Sequence, residues 1–302
     1  MNLYKIIEEL CAIHAPSGYE KNIITFLYQW FLKTKSDAQL DTSVSNTLVV
    51  YKGKPNIAFI AHADSVGFIL QYNKRLLALG SPEISDNTLI RSSDGRIVEV
   101  YFDETNHVYL IKNDFEFERG TTFTFLPHFE IKENFLYSNS LDNRIGIALL
   151  MQLYSETDDI CIVISSNEES SGGSVEKASR ILYEKYKIEK TVIVDTTFET
   201  EGIRLGNGVV LSLKDRYLPP QRWVEQIKEI INEHNIPHQI EVEDYGISDG
   251  AYIHRSPYPI DWIFLGIACA NNHQQVEKID MNDLKCLYEA IKTINNKYLK
   301  SK

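Results

Sequence analysis

Several things are scarce in this chain of 302 residues. It has four cysteines, Cys11, Cys161, Cys269 and Cys286, and no Cys-x-x-Cys pair. Scattered in this way, with Cys161 and Cys269 inside apolar runs, they read as buried free thiols of a reducing compartment, not as a disulfide framework or a thiolate metal site. No apolar run approaches the roughly 20 residues that a membrane span needs. The N-terminal MNLYKIIEELC carries Glu8 and Glu9 where a secretory leader would be uniformly apolar. Positive charge is also short, with 31 Lys and Arg against 42 Asp and Glu and a net charge of −11. Nucleic acids and anionic membranes select basic surfaces, so neither is an expected partner. A cytoplasmic globular protein is expected, without internal repeats or low-complexity segments.

What is present is a strand–helix alternation interrupted once. Leu3, Ile6, Ile7, Leu10 and Cys11 share one helical face. Ser17-Gly-Tyr-Glu20 has the capping-box pattern and leads into a second amphipathic segment through Phe31. Thr47 to Tyr51 and Ile57 to Ala61 read as strands. From 68 to 135 the texture changes to short alternating runs (RIVEVYF, HVYLI, TTFTFL) separated by turn signals such as Asp94-Gly95, Asn113-Asp114 and Arg119-Gly120. This segment reads as an inserted all-β domain, a barrel or sandwich. From Asp142 onward helices and strands alternate again, with strands expected at Ile160 to Ser165, Thr191 to Val194, Val209 to Leu213, Gln239 to Val242 and Trp262 to Ile267. The expected fold is an α/β doubly wound, mostly parallel sheet flanked by helices, formed by 1–67 and 136–302 and carrying the 68–135 insertion.

Acids and histidines stand at the ends of apolar runs. His62-Ala-Asp64 follows IAFIA, Glu168-Glu169 follows CIVISS, Asp195 ends TVIVD, His273 comes soon after WIFLGIA, and Asp142 opens a helix-like segment. Desolvating such groups is costly unless they are paired or bind a cation. Open α/β sheets bind ligands at the carboxyl ends of their strands, where these residues would gather. In an extended segment His62 and Asp64 point the same way, which suits Asp64 to hold the second ring nitrogen of a metal-binding His62. Adjacent carboxylates such as Glu168 and Glu169 repel unless a cation intervenes; one could ligate it while the other serves as general base. Each residue also has a plainer role: Asp142 as a helix N-cap, Glu168-Glu169 as the start of the loop continuing Ser170-Ser171-Gly172-Gly173, Asp195 as a turn residue, His273 as a solvated loop residue. The convergence of all of them is what points to a metal-dependent hydrolase. His14, His107, His128, His234, His238 and His254 lack the strand-end setting. Specificity would lie in loops such as Phe198 to Asn207 and Asp244 to Gly250, with Asp249 either a further pocket residue or a turn residue.

The ordered pattern His-x-Asp, Leu-Asp-Asn-Arg-Ile-Gly, Glu-Glu-x-x-x-Gly-Gly, Val-Asp and a late His-x-x-x-Glu resembles the dinuclear metallo-aminopeptidases of the glutamyl/deblocking, tetrahedral (TET-type) family. The resemblance covers nearly the whole chain, and the β insertion between Asp64 and Asp142 lies where that family carries its small β domain. It implies two divalent ions, zinc with cobalt or manganese as alternatives. Asp142 would bridge them, His62 and Asp195 would complete one site, and Glu169 and His273 the other. It further implies Glu168 as general base, Asp64 as the partner of His62, peptide substrates, and a homo-oligomer of up to a dodecamer in which the β domain takes part. The insertion is shorter than usual for the family, and its Asp-Val-Thr segment appears here as Asp195-Thr-Thr.

Three rivals remain. A carboxypeptidase or amide deacylase of the same clan would share the ligand series and tolerate a blocked amino group. A glycosidase would use paired carboxylates without a metal. A non-catalytic metal-binding assembly protein would have no need of Glu168.

Overall fold

The structure, a computed structural model, describes residues 2–35, 37–112, 114–170, 172–244 and 246–299. Asn113 and Ser171 in two expected turns, Tyr245 in an expected specificity loop, and the tail from residue 300 lie outside the described residues. No described helix is long and apolar enough to cross a membrane.

The main sheet has eight strands in the order Gln39–Asp41, Leu48–Lys52, Ile160–Ser165, Ala58–His62, Thr191–Phe198, Phe264–Cys269, Val209–Lys214 and His238–Val242. The four central strands, from Ile160–Ser165 to Phe264–Cys269, run parallel; the outer partners Leu48–Lys52 and Val209–Lys214 pair antiparallel to them. Ala58–His62 and Ile160–Ser165 are buried along their whole length, as expected of parallel strands covered on both faces. Alternation along the strands sends side chains to two separate cores. Val50, Phe59, Ala61, Ile162, Ile164, Val192 and Val194 pack against the helices Leu3–Cys11, Lys21–Thr34, Leu141–Glu156, Gln221–Glu233 and Met281–Leu299. Val49, Ala58, Ile60, Cys161, Val163 and Ile193 pack against Ser174–Arg180 and Asp249–Arg255 on the opposite face. Each such aliphatic side chain contributes about 1.5–3 kcal/mol relative to exposure.

Six strands between Gly67 and Phe125 close into a barrel. Phe68, Leu70, Leu76, Ile90, Val98, Val100, Phe123 and Phe125 fill it with a core of its own. The expected insertion ends later than this barrel. Residues 129–138 form a hairpin, Phe129–Lys132 with Phe135–Ser138, whose third strand is Glu277–Asp280.

Several local expectations differ from the structure for identifiable reasons. Ser17-Gly-Tyr-Glu20 makes no capping box: Glu20 stands at the N-cap itself, and its buried carboxylate accepts Gly18 N at 2.7 Å, Asn46 Nδ2 at 2.7 Å and Asn167 N at 3.1 Å. The strand expected to stop at Val194 continues to Phe198, so Asp195 lies within it and not at its tip. Asp142 is not the N-cap of its helix; Ser140 is, at φ 54°, and the Asp142–Asn143 peptide is cis. The short helix Asp249–Arg255 and the strand Glu277–Asp280 went unforeseen, being too brief for either period to show.

Candidate metal centre and substrate cavity

Parallel pairing sets the geometry. His62 ends its strand opposite Ser165, and Ile193 pairs with Ile60, so Asp195 comes alongside His62 two residues further on. The His62 Nε2 to Asp195 Oδ1 distance is 3.5 Å. Asp142 arrives from the first turn of Leu141–Glu156, with its Oδ1 2.8 Å from His62 Nε2 and its Oδ2 3.5 Å from His273 Nε2. His273 Nε2 lies 3.3 Å from Glu169 Oε2. Two groups result, His62–Asp142–Asp195 and Asp142–Glu169–His273, each with its donor atoms within 4.8 Å of one another and with Asp142 common to both.

The loops that present these residues are themselves held by buried hydrogen bonds. Asp64 Oδ1 accepts Glu168 N at 3.1 Å and Oδ2 accepts Glu169 N at 3.0 Å. His62 Nδ1 lies 3.2 Å from the Asp64 carbonyl and 3.6 Å from its Oδ1. Asp64 therefore anchors the Glu-Glu turn with its side chain and meets the His62 ring chiefly through its backbone. Asn143 Nδ2 donates to Val194 O at 2.8 Å, and its Oδ1 accepts Gly146 N at 3.0 Å, clamping the helix start to the strand that bears Asp195. A Cβ at Gly146 would stand 2.5 Å from Val194 O, so only glycine permits this approach. The buried guanidinium of Arg144 donates to the carbonyl of Ala63, beside Asp64.

Four further residues contact this centre without having been singled out from the sequence for that role. Glu277 Oε2 accepts Asp142 N at 3.2 Å and its Oε1 accepts His273 N at 3.0 Å. Asn272 Nδ2 donates to Asp142 Oδ2 at 2.8 Å. Ser81, from the loop after the barrel strand Arg75–Leu79, lies with its Oγ 2.8 Å from His273 Nδ1. Glu20 braces Asn167, next to Glu168. Glu277 left the one readable signal, four residues after His273. Asp249 is buried beneath the centre and does not line the cavity; Ser165 Oγ donates to its Oδ2. None of the six other histidines lines the cavity.

Without a cation this cluster is electrostatically unbalanced. Burial pushes the carboxyls of Glu168 and Glu169 well above their ordinary range, and neighbouring carboxylates push the same way. Burial lifts Asp195 to about 6 and Glu277 to about 8. Burial would also raise Asp142, but the imidazoles of His273 and His62 outweigh it and hold that carboxyl below its range. Glu169 Oε1 is buried without a hydrogen-bond partner among the described residues. The centre opens into a cavity of about 530 Å³, lined also by Glu168, Thr196, Phe198, Asp215, Glu241 and Glu243. An acid cluster with two imidazoles and an unpaired buried oxygen fits divalent cations bound through oxygen and nitrogen.

The sequence model of a protein family described as M42 glutamyl aminopeptidase matches residues 91–289. That span includes Asp142, Glu168, Glu169, Asp195 and His273; His62 and Asp64 precede it. A curated protein of Acetivibrio thermocellus named "Putative aminopeptidase" is 23% identical over 329 aligned positions, covering 96% of this chain and 98% of its own. The solved TET aminopeptidase of Thaumarchaeota archaeon SCGC AB-539-E09 gives a TM-score of 0.83 at 15% identity, covering 98% of this chain and 97% of that one. The TET1 peptidase of Pyrococcus horikoshii, described as assembling into a tetrahedron or a large octahedral shell, gives 0.78 at 18% identity over 97% and 99%. At such identities these structures establish a common fold: a mostly parallel, helix-flanked sheet with smaller antiparallel sheets and a barrel.

Proposed function

The chain belongs to the M42 glutamyl aminopeptidase family of peptide hydrolases, and on that premise we propose that it removes N-terminal residues from peptides with two divalent ions in this cavity. Asp142 would hold both ions, with His62 and Asp195 completing one position and Glu169 and His273 the other. The observation that carries this reading is the sharing of Asp142 between two compact donor groups at the floor of one cavity. When bound, the ions would supply Lewis acidity toward water and the scissile carbonyl. Mixed carboxylate and imidazole donors suit zinc, cobalt or manganese.

The remaining chemistry falls to the chain's own residues. Glu168 faces the cavity with its carboxyl raised by burial, which suits a general base that takes a proton from the attacking water and delivers it to the leaving amine nitrogen. Asp64 fixes the Glu168 and Glu169 amides and thereby the position of both carboxylates. Glu169 and Asp195 are also suited to receive the substrate's free ammonium group. A catalytic unit of 1–67 and 136–302 with an assembly unit within 68–135 fits a homo-oligomer of up to a dodecamer. The barrel exposes Leu77, Ile97, Tyr101 and Phe102, apolar side chains that a neighbouring copy could cover. The buried free thiols support a reducing, cytoplasmic location.

The test is elemental analysis of the purified protein together with cleavage of aminoacyl chromogenic substrates before and after chelation. About two ions per chain and chelator-sensitive cleavage are expected. Failure to take up zinc, cobalt or manganese would sink the reading. Undiminished cleavage of an N-acetylated substrate would favour an amide deacylase or carboxypeptidase instead.

A further inference from the structure

The cavity extends beyond the candidate metal centre into a second lobe with its own chemistry. Asp215 follows the strand Val209–Lys214, while Glu241 and Glu243 come from and follow the neighbouring strand His238–Val242. All three line the cavity, together with Phe198, Ile247 and Phe264. Glu241 is 5% exposed and Asp215 6% exposed, so neither is a solvated surface acid. Asp215 accepts Ser248 Oγ at 2.6 Å and Tyr217 N at 2.8 Å; Glu241 accepts Thr197 Oγ1 at 2.5 Å. These bonds orient the carboxylates without supplying a positive charge. Burial, reinforced by the charges of Glu243 and Asp215, holds the Glu241 carboxyl above its ordinary range despite the Thr197 hydroxyl.

Charge accounting separates the two lobes. No lysine or arginine is among the lining residues. At the metal end Asp142, Glu168, Glu169 and Asp195 carry four negative charges, which two divalent ions would balance. Asp215, Glu241 and Glu243 would then remain uncompensated. The nearest cation in the chain, Lys214, is turned away: its Nζ donates to the carbonyls of Asp215 and Glu243 at 3.1 Å each and pairs with Asp244. An independent sign of an absent ligand is Thr196, which lines the same cavity between the lobes, is 6% exposed and has a hydroxyl without a partner among the described residues.

We infer that this lobe receives a cationic first side chain, so that the enzyme prefers peptides beginning with lysine or arginine. The aliphatic stem would lie along Phe198, Ile247 and Phe264, and the charged head would meet Asp215, Glu241 and Glu243. An N-terminal glutamate would instead add a fourth negative charge to a lobe that already has three, which a selective site rejects. The inference rests on the aminopeptidase reading only in taking this cavity as the place where the first residue sits.

The experiment uses the metal-loaded full-length protein. Cleavage of lysyl, norleucyl and glutamyl p-nitroanilides is compared by kcat/KM, norleucine having the lysine stem without the ammonium. Binding of free L-lysine, L-norleucine and L-glutamate is measured by calorimetry on the same preparation. Lysyl is expected to exceed norleucyl by at least about tenfold, and glutamyl to be slowest. In Glu241→Gln the lysyl-to-norleucyl ratio should fall toward one, and lysine binding should weaken by about tenfold. Equal cleavage of lysyl and norleucyl substrates, or a preference for glutamyl, overturns the cationic pocket and leaves the aminopeptidase reading standing. Selective lysine binding without cleavage of any substrate supports the pocket and removes the peptidase reading. Neither binding nor cleavage overturns both.

Discussion

The barrel and the main sheet are both built from short strands around apolar cores, yet they treat charge in opposite ways. On the barrel, charges pair with the opposite sign near the surface: Arg96 with Asp94 at 2.5 Å, Lys74 with Asp114 at 2.9 Å, Lys112 with Glu99. Such pairs are screened by water and worth about 0–1 kcal/mol each. At the carboxyl edge of the main sheet, seven carboxylates and two imidazoles line one cavity with no lysine or arginine among them. Like charges of that density are tolerated only if something positive joins them, or if some of them keep protons. The barrel's charges are complete within the chain, and the cavity's are not; that difference separates scaffold from site.

The largest expected effect comes from Glu168→Gln, which should lower kcat by about 10²–10⁴-fold while metal content stays at the wild-type level. Turnover close to wild type would remove Glu168 as general base. Glu277→Gln addresses the hydrogen bonds to the Asp142 and His273 amides. It is expected to weaken metal affinity by about 10–100-fold, measured by competition with a chromophoric chelator. An unchanged affinity would mean that those two backbones hold their places unaided.

A pH experiment probes the imbalance directly. In the metal-free protein burial raises Asp195 to about 6, Asp249 to about 7 and Glu277 to about 8. A carboxyl with a folded pKa above its unfolded value near 4 binds more protons folded than unfolded, so its contribution is lost as pH rises. Burial works against the protonated form of His62, but Asp195, Asp142 and Asp64 outweigh it and raise its pKa, so its contribution is lost in the same direction. The urea midpoint of chelated protein should therefore fall between about pH 5 and 8, and that of metal-loaded protein should change much less. A chelated midpoint that rises over this window would contradict the assigned origin of the shifts. The smallest effect is expected on the barrel. Lys112→Gln removes an exposed partner of Glu99 and should change unfolding free energy by less than about 1 kcal/mol with turnover unaltered; a loss well beyond that would end the contrast between the two regions.

Much of this arrangement is legible along the chain, for local reasons. The runs IAFIA and CIVISS are strands because continuous apolar segments of that length bury on both faces of a parallel sheet, and both occupy the expected positions. His62, Asp142, Glu169, Asp195 and His273, together with Glu168 and Asp64, do meet in three dimensions, since each apolar run leads its acid or histidine toward the same sheet edge. Other features were illegible because their partners are remote. Ser81 meets His273 across 192 positions, and Glu277 meets Asp142 across 135. Asp249 was readable as a polar residue near the site, but its burial against Ser165 depends on how a seven-residue helix seats beneath the sheet. The length of the strand through Asp195 depends on its pairing with Phe264–Cys269, which carries it on to Phe198.

By itself, the sequence determined the α/β alternation, the inserted β segment and the identity of the acids and histidines at the strand ends, because apolar periodicity and the cost of burying charge act over a few residues. Only the tertiary structure decided which carboxylates face one another, which are held by amides and hydroxyls, and which are left without a counter-charge. Those are properties of side chains brought together from distant segments, and no local pattern encodes the direction in which they point.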